Sequence, residues 1–318
     1  MKLSDLIKYR NDIAAMPYQQ LSVQITEQSA LMKQQLLSLA VDIEEDLDIL
    51  LQNLDGLTAS GSQVAYQLKL FNLRLNSYVE QFEKSYFDQS QNIYQMTFND
   101  SDEYVLDKAC QYQQQFGQEV CDLIASRIKL YSSWKTPGLH LRPAAGTWVK
   151  HMIDLDPLYL ADHSEFLLSK TMCQFNPSYQ KRLRQVVFDP FNSPKFSTVP
   201  RNQIGLIVAI GYFNQMSLDA IQHYLEEFWQ LLRPGGVVIF TYNNCDFPEC
   251  VLKFENKYDC YTPGRLVKQC CEAIGFDVVG EFNTAGVAHW LEVAKPGQIS
   301  SIRGGQSLAK IMNKPEKT

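Results

Sequence analysis

The 318-residue sequence has no long hydrophobic run: the longest clean one spans Ile204 to Ile210 and contains a glycine. A bilayer-spanning helix needs about 20 apolar residues, so no membrane association through a helix is expected. The first residues, Met1-Lys2-Leu3-Ser4-Asp5, lack the apolar core of a secretion signal, and a cytoplasmic location is expected. Positive charge is not in excess: the net charge is −6, which gives no global attraction to nucleic acid. Eight cysteines contain no C-x-x-C pair, so neither a disulfide framework nor a regular zinc motif is indicated. A set of Cys245, Cys250, Cys260 and His289 can be drawn, but its spacing is irregular. Reduced thiols and no metal are the expectation.

Chain breakers are also scarce, in one part only. Residues 1–136 contain one proline (Pro17) and three glycines (Gly56, Gly61, Gly117), whereas residues 137–318 hold the other twelve prolines and thirteen glycines. Charge divides at the same place, −7 before it and +1 after. Two differently built domains are implied, meeting near Thr136-Pro137-Gly138, with a basic tail over 296–318.

The first part has a helical period. Leu21, Ile25, Gln28, Met32, Leu36, Leu39, Ile43, Leu47, Leu50 and Leu54 form one stripe with an eleven-residue repeat, close to the period of a nearly straight helix. A second stripe runs from Val64 through Phe71, Tyr78 and Tyr86 to Ile93. A third helix is expected after Asn99-Asp100-Ser101-Asp102, burying Leu106, Cys110, Val120, Leu123, Ile124, Ile128 and Tyr131. Residues 1–136 therefore read as an all-α long-helix bundle or coiled-coil arm. It packs on itself, or it serves a homo-oligomer or a helical partner. No residue in it carries a catalytic pattern.

From Gly138 onward, short apolar runs alternate with helical stretches. Strands are expected near Leu139–Leu141, Leu158–Ala161, Gln185–Phe188, Gly205–Ala209, Val237–Thr241, Phe276–Glu281 and His289–Val293. Helices are expected near Trp148–Leu155, Ser164–Phe175, Leu218–Leu232 and Pro263–Ile274. This alternation implies an α/β fold: a seven-stranded, mostly parallel Rossmann-like sheet flanked by helices. Such sheets bind ligands beyond the carboxyl ends of their strands.

The stretch Leu231-Leu-Arg-Pro-Gly-Gly-Val-Val-Ile-Phe-Thr241 ends a helix and launches a buried strand. With the preceding strand and the later Ala273-Ile-Gly-Phe276, it resembles the class I S-adenosylmethionine-dependent methyltransferases over about residues 138–295. The resemblance implies S-adenosylmethionine as cofactor and assigns residues one by one. Asp162, closing Leu158-Tyr-Leu-Ala-Asp162, matches the acidic residue that holds the ribose hydroxyls; as a bare sequence feature it could equally cap the following helix. Asp189 matches the position facing the adenine amino group, or is a turn residue before Pro190. Ile210 and Gly211 would pass beside the methionine half. The family's acidic-x-Gly-x-Gly-x-Gly loop reads His140-Leu-Arg142-Pro-Ala144-Ala-Gly146 here. His140 stands at the acidic position, and only Gly146 remains of the three glycines.

Methyl transfer requires placement more than any particular side chain, and no catalytic residue is singled out. Tyr212, Tyr242, Asn214, Asn243 and Asn244 come after the fourth and fifth strands and are candidates for orienting an acceptor. The [DN]-P-P-[FYW] motif of amino-group DNA methyltransferases is absent from Gly211-Tyr212-Phe213-Asn214. Cys245 lacks the proline-cysteine partner motif of RNA-type cytosine enzymes. A small-molecule or protein acceptor is therefore expected rather than nucleic acid. The alternative is an inactive methyltransferase-like protein that assembles through its helical arm.

Overall fold

The computed structural model describes residues 7–8, 11, 70, 73–74, 76–77, 79–80, 83–91, 102–144, 146–189, 195–256, 258–284 and 288–297. The stripe over 21–54, most of the second stripe and the basic tail lie outside the described residues. The chain divides into two compact units: Met1–Gln89 with Cys245–Glu255, and Ser90–Asn244 with Asn256–Thr318.

In the second unit, strands β1 (Gly138–Leu141), β2 (Leu158–Asp162), β3 (Leu183–Val187), β4 (Ile204–Ala209), β5 (Leu232–Thr241), β6 (Asp277–Thr284) and β7 (Ala288–Ala294) form one sheet. Their order is β3-β2-β1-β4-β5-β7-β6. Strands β1 to β5 pair in parallel, and β7 runs antiparallel to both β5 and β6. This is a Rossmann-like α/β fold. Its strand order reverses between β1 and β4, which makes a crevice at their carboxyl ends.

The sheet is apolar on both faces, as a mostly parallel sheet must be. Ile207 and Ala209 of β4 face one core with Val238 and Phe240 of β5. This core is closed by Ile221, Tyr224, Leu225 and Phe228 of α4 (Leu218–Leu231) and by Val267 and Cys271 of α6 (Gly264–Ile274). Leu206 and Val208 face the other core. It is closed by Ile124, Ile128 and Tyr131 of α1 (Asp102–Tyr131) and by Val149 and Met152 around a 3-10 turn at Val149–His151. Helix α1, part of the expected helical arm, thus covers a face of the sheet. It belongs to the unit of Ser90–Asn244 with Asn256–Thr318.

Helix α1 is kinked at Gly117, whose φ of 72° is left-handed. Ile124, Ile128 and Tyr131 are buried at steps of four and three, but Leu123, expected on that side, is 37% exposed. The helix expected over Trp148–Leu155 is only the 3-10 turn at Val149–His151. Helices α2 (Glu165–Met172) and α3 (Pro177–Gln180) are opened by the side chains of Ser164 and Asn176, which accept from Leu167 N–H and Tyr179 N–H. Strand β5 begins before Arg233-Pro-Gly-Gly. Ile204 pairs with Leu232 and Leu206 with Val237, so Arg233 to Gly236 bulge out of the ladder.

The first unit contains α5 (Pro248–Glu255), which the sequence pattern did not suggest. Its Phe254 ring lies 4.6 Å from that of Tyr86, and Tyr86 Oη donates to Glu255 Oε1 at 3.4 Å. Asn11 Nδ2 donates to the carbonyl of Asp246. No described helix is long and apolar enough to cross a membrane.

Candidate functional site

The register aligns the strand ends. Leu141 of β1 faces Ala161 of β2, and His140 faces Val208 of β4. Arg142, Asp162 and Ile210 therefore reach the same level, on the rim where strand order reverses. His140 lies one pleat below and is fully buried. Gly211 comes directly after Ile210.

Asp162 is the last residue of β2 and is fully buried. Its Oδ1 accepts from Ser164 N–H at 3.2 Å and lies 3.1 Å from His163 Nδ1. Its Oδ2 has no hydrogen-bond partner among the described residues. Both readings of Asp162 survive, one on each oxygen: Oδ1 steadies the turn into α2, and Oδ2 is an unmet acceptor. A buried carboxylate oxygen without a donor is costly, and Oδ2 is available to accept from a water or a ligand hydroxyl.

The loop after β1 keeps a glycine-type backbone without the glycines. Arg142, Ala144 and Gly146 have φ values of 47°, 46° and 70°. Left-handed backbone costs an ordinary residue about 1–2 kcal/mol, so the surroundings must hold it. Arg142 N–H donates to Ala161 O at 2.7 Å, and Thr171 Oγ1 of α2 donates to Ala144 O at 2.7 Å. At Gly146 a Cβ would sit 2.9 Å from Gln174 Oε1, the movable end of a flexible side chain, so it is the left-handed φ that favours glycine there.

Arg142 reaches away from β2 and toward β4. Its guanidinium carbon lies 5.8 Å from the centroid of the Tyr212 ring. Its Nε is buried without a partner among the described residues. His140 Nδ1 lies 3.1 Å from Leu141 O, and Nε2 has no partner. Burial lowers the His140 pKa to about 4, against smaller opposing effects of the Leu141 carbonyl and Asp162. His140 is thus neutral near pH 7, with Nδ1 donating and Nε2 left as an acceptor.

The other expected residues lie elsewhere or are occupied. Asp189 is exposed, two residues beyond β3. Tyr212 is buried, and its hydroxyl is 2.8 Å from that of Tyr224. Asn214 Oδ1 accepts from Thr241 Oγ1, which itself accepts from Gly211 N–H. Asn243 Nδ2 donates to Cys260 O, and Asn244 Oδ1 accepts from Gly264 N–H. These amides brace the ends of β4 and β5 against the chain leading into α6. Thr241 and Arg142 were not among the expected site residues. Nothing in the sequence marks Thr241, whereas Arg142 was signalled by its place at a family glycine. The drawn zinc set is not assembled: among the described residues no three His, Cys, Asp or Glu side chains converge on one point.

No family model matches the chain, and no curated protein matches its sequence. Among solved structures it is similar to a SAM-dependent methyltransferase from Aquifex aeolicus, at 12% identity over 62% of this chain and 99% of that one, with a TM-score of 0.47. It is also similar to the N-methyltransferase NodS from Bradyrhizobium japonicum, at 16% identity over 55% and 93% of the two chains, TM-score 0.41. A third is a putative O-methyltransferase from Nostoc punctiforme, at 10% identity over 55% of each chain, TM-score 0.44.

Proposed function

We propose that this chain binds a ribonucleoside cofactor across the ends of β2, β1 and β4 and acts as an S-adenosylmethionine-dependent methyltransferase. The observation that carries the reading is Asp162 Oδ2, a buried, unpartnered carboxylate oxygen at the end of β2. It fits the hydroxyls of a ribose, because an ionised carboxylate only accepts and a vicinal diol offers two donors. The left-handed backbone at Arg142, Ala144 and Gly146 keeps the turn that lets a ligand approach the strand end. His140, Ala144, Gly146, Ile210 and Gly211 border the same rim, and Asp189 lies beyond β3 for the base.

When bound, S-adenosylmethionine supplies an activated methyl group to an acceptor held in line with it. The chain's own part is to hold the ribose, exclude water and align the acceptor. Tyr212, Asn214, Asn243 and Asn244 act on that acceptor indirectly, by setting the shape of the β4 and β5 ends. The acceptor, a small molecule or a protein, approaches beyond Gly211.

Calorimetric titration of the folded chain with S-adenosylmethionine and S-adenosylhomocysteine tests the proposal. Binding that Asp162→Asn weakens supports it. No heat of binding at millimolar ligand removes it.

One observation favours a second reading. The Arg142 side chain lies across the rim toward Tyr212, where the methionine half of the cofactor would run. In that reading the domain is an inactive scaffold that assembles through residues 1–136. A solution mass at a multiple of the 36.5 kDa chain supports assembly. A monomer that recovers no partner removes that support.

A further inference from the structure

The rim carries two opposite charges that decline each other. Arg142 and Asp162 end adjacent parallel strands, with backbones about 5 Å apart. They are tied by the Arg142 N–H to Ala161 O bond, yet their side chains form no ion pair. The guanidinium turns to the opposite side of β1 and lies against the Tyr212 ring. Among the described residues it makes no hydrogen bond and no ion pair, and its Nε is buried without an acceptor. Asp162 Oδ2 is likewise buried without a donor. A nearby part-exposed cation and buried anion that stay unpaired with each other at the rim present a bipolar surface. The complement is a molecule with hydroxyl donors at one end and a negative group at the other.

We propose that Arg142 is the specificity-determining anion receptor of this site, so that its ligand is a nucleoside carrying an anionic arm, a carboxylate or a phosphate. This rests on the nucleoside reading above and adds the chemistry of the arm. A guanidinium is planar and matches either anion with two parallel N–H bonds, and the Tyr212 ring holds that plane from one side. The same guanidinium repels a positive centre on the ligand. A neutral sulfur in the arm is therefore favoured over a sulfonium. The left-handed φ of 47° at Arg142 is the backbone strain that accompanies this placement.

The test is titration calorimetry of the full chain with adenosine, adenosine 5′-monophosphate, S-adenosylhomocysteine and S-adenosylmethionine. It uses wild type, Arg142→Gln, Arg142→Lys and Asp162→Asn, each checked for folding by circular dichroism. In wild type an armed ligand should bind about tenfold or more tighter than adenosine, since a charge-assisted bidentate pair is at stake. S-Adenosylhomocysteine should exceed S-adenosylmethionine. Arg142→Gln should shrink the advantage of the arm to about twofold, Arg142→Lys should keep part of it, and Asp162→Asn should weaken all four ligands together. A gain with the phosphate alone identifies a nucleotide ligand: it upholds the receptor and removes the methyltransferase reading. A gain with S-adenosylhomocysteine alone identifies the carboxylate and upholds both. Equal binding of adenosine and the armed ligands overturns this inference while leaving nucleoside binding intact. So does an Arg142→Gln variant that binds all four more tightly, because the side chain then only obstructs. No binding of any ligand overturns both.

Discussion

Two clusters of the sheet unit are built from the same three kinds of group, a guanidinium, a phenol and a carboxylate, and behave oppositely. At the β7 face, Arg127 of α1, Tyr131 of α1 and Glu292 of β7 are mutually bonded. Arg127 Nε donates to Glu292 Oε1 at 2.6 Å, Nη2 pairs with Oε2, and Tyr131 Oη donates to Oε2 at 2.7 Å. At the rim, Arg142, Tyr212 and Asp162 lie on neighbouring strand ends, and the arginine and carboxylate ignore each other. The first cluster is closed: every charge has its partner within the fold, and the helix is clamped to the sheet. The second is open, and its unmet atoms are a cost the fold bears by itself. Charges that pair internally serve the architecture, and charges left unpaired in a buried setting are available to a ligand.

The largest expected effect breaks the closed cluster. Arg127→Met strands Glu292 in the core and should lower stability by about 3–5 kcal/mol in urea unfolding, and adding Glu292→Leu should restore much of it. A loss below about 1 kcal/mol would make the closed cluster no more valuable than a surface pair.

Next comes pH. His140 is held neutral in the fold, with its pKa lowered from 6.5 to about 4. Between those values the unfolded chain takes up a proton that the folded chain refuses, so stability falls as pH drops from about 6.5 toward 4. The loss should approach about 3 kcal/mol for this group and should be smaller in His140→Asn. Urea midpoints at pH 7 and pH 4.5 measure the difference.

Asp162→Asn sharpens the contrast from the open side. Asparagine keeps an oxygen for Ser164 N–H and removes an unmatched charge. Thermal stability should therefore change by less than about 1 kcal/mol, while nucleoside affinity falls about tenfold. A large loss of stability would move Asp162 into the same class as Glu292. The smallest effect is expected for Arg142→Gly. It relieves left-handed backbone, offset by added freedom in the unfolded chain, for a net stabilisation of about 1 kcal/mol or less by calorimetric melting.

Much of the sheet was readable before the fold was known. The runs at Leu158–Asp162, Ile204–Ala209 and Leu232–Thr241 are apolar on both faces, and only a covered, mostly parallel sheet uses such strands. Asp162 was readable for a related reason, being the one carboxylate placed directly at the end of such a run. Helix α5 was not, because eight residues between a cysteine-rich turn and Asn256 carry too little periodicity to stand out. Leu123 is exposed because it lies about 100° around the helix from Ile124, whose stripe with Ile128 and Tyr131 faces the sheet. The amides of Asn214, Asn243 and Asn244 looked free for a substrate, since sequence shows which groups can hydrogen-bond but not which backbone atoms come within 3 Å of them.

Local pattern determined the α/β architecture, because burial and periodicity act over a few residues at a time, and the family resemblance singled out the carboxylate at the end of β2. Tertiary structure decided which charges meet. Arg127 finds Glu292 across 165 residues, while Arg142, one strand from Asp162, turns away to Tyr212. Pairing depends on side-chain direction and on what already fills the space between, and those are set only when distant strands are brought side by side.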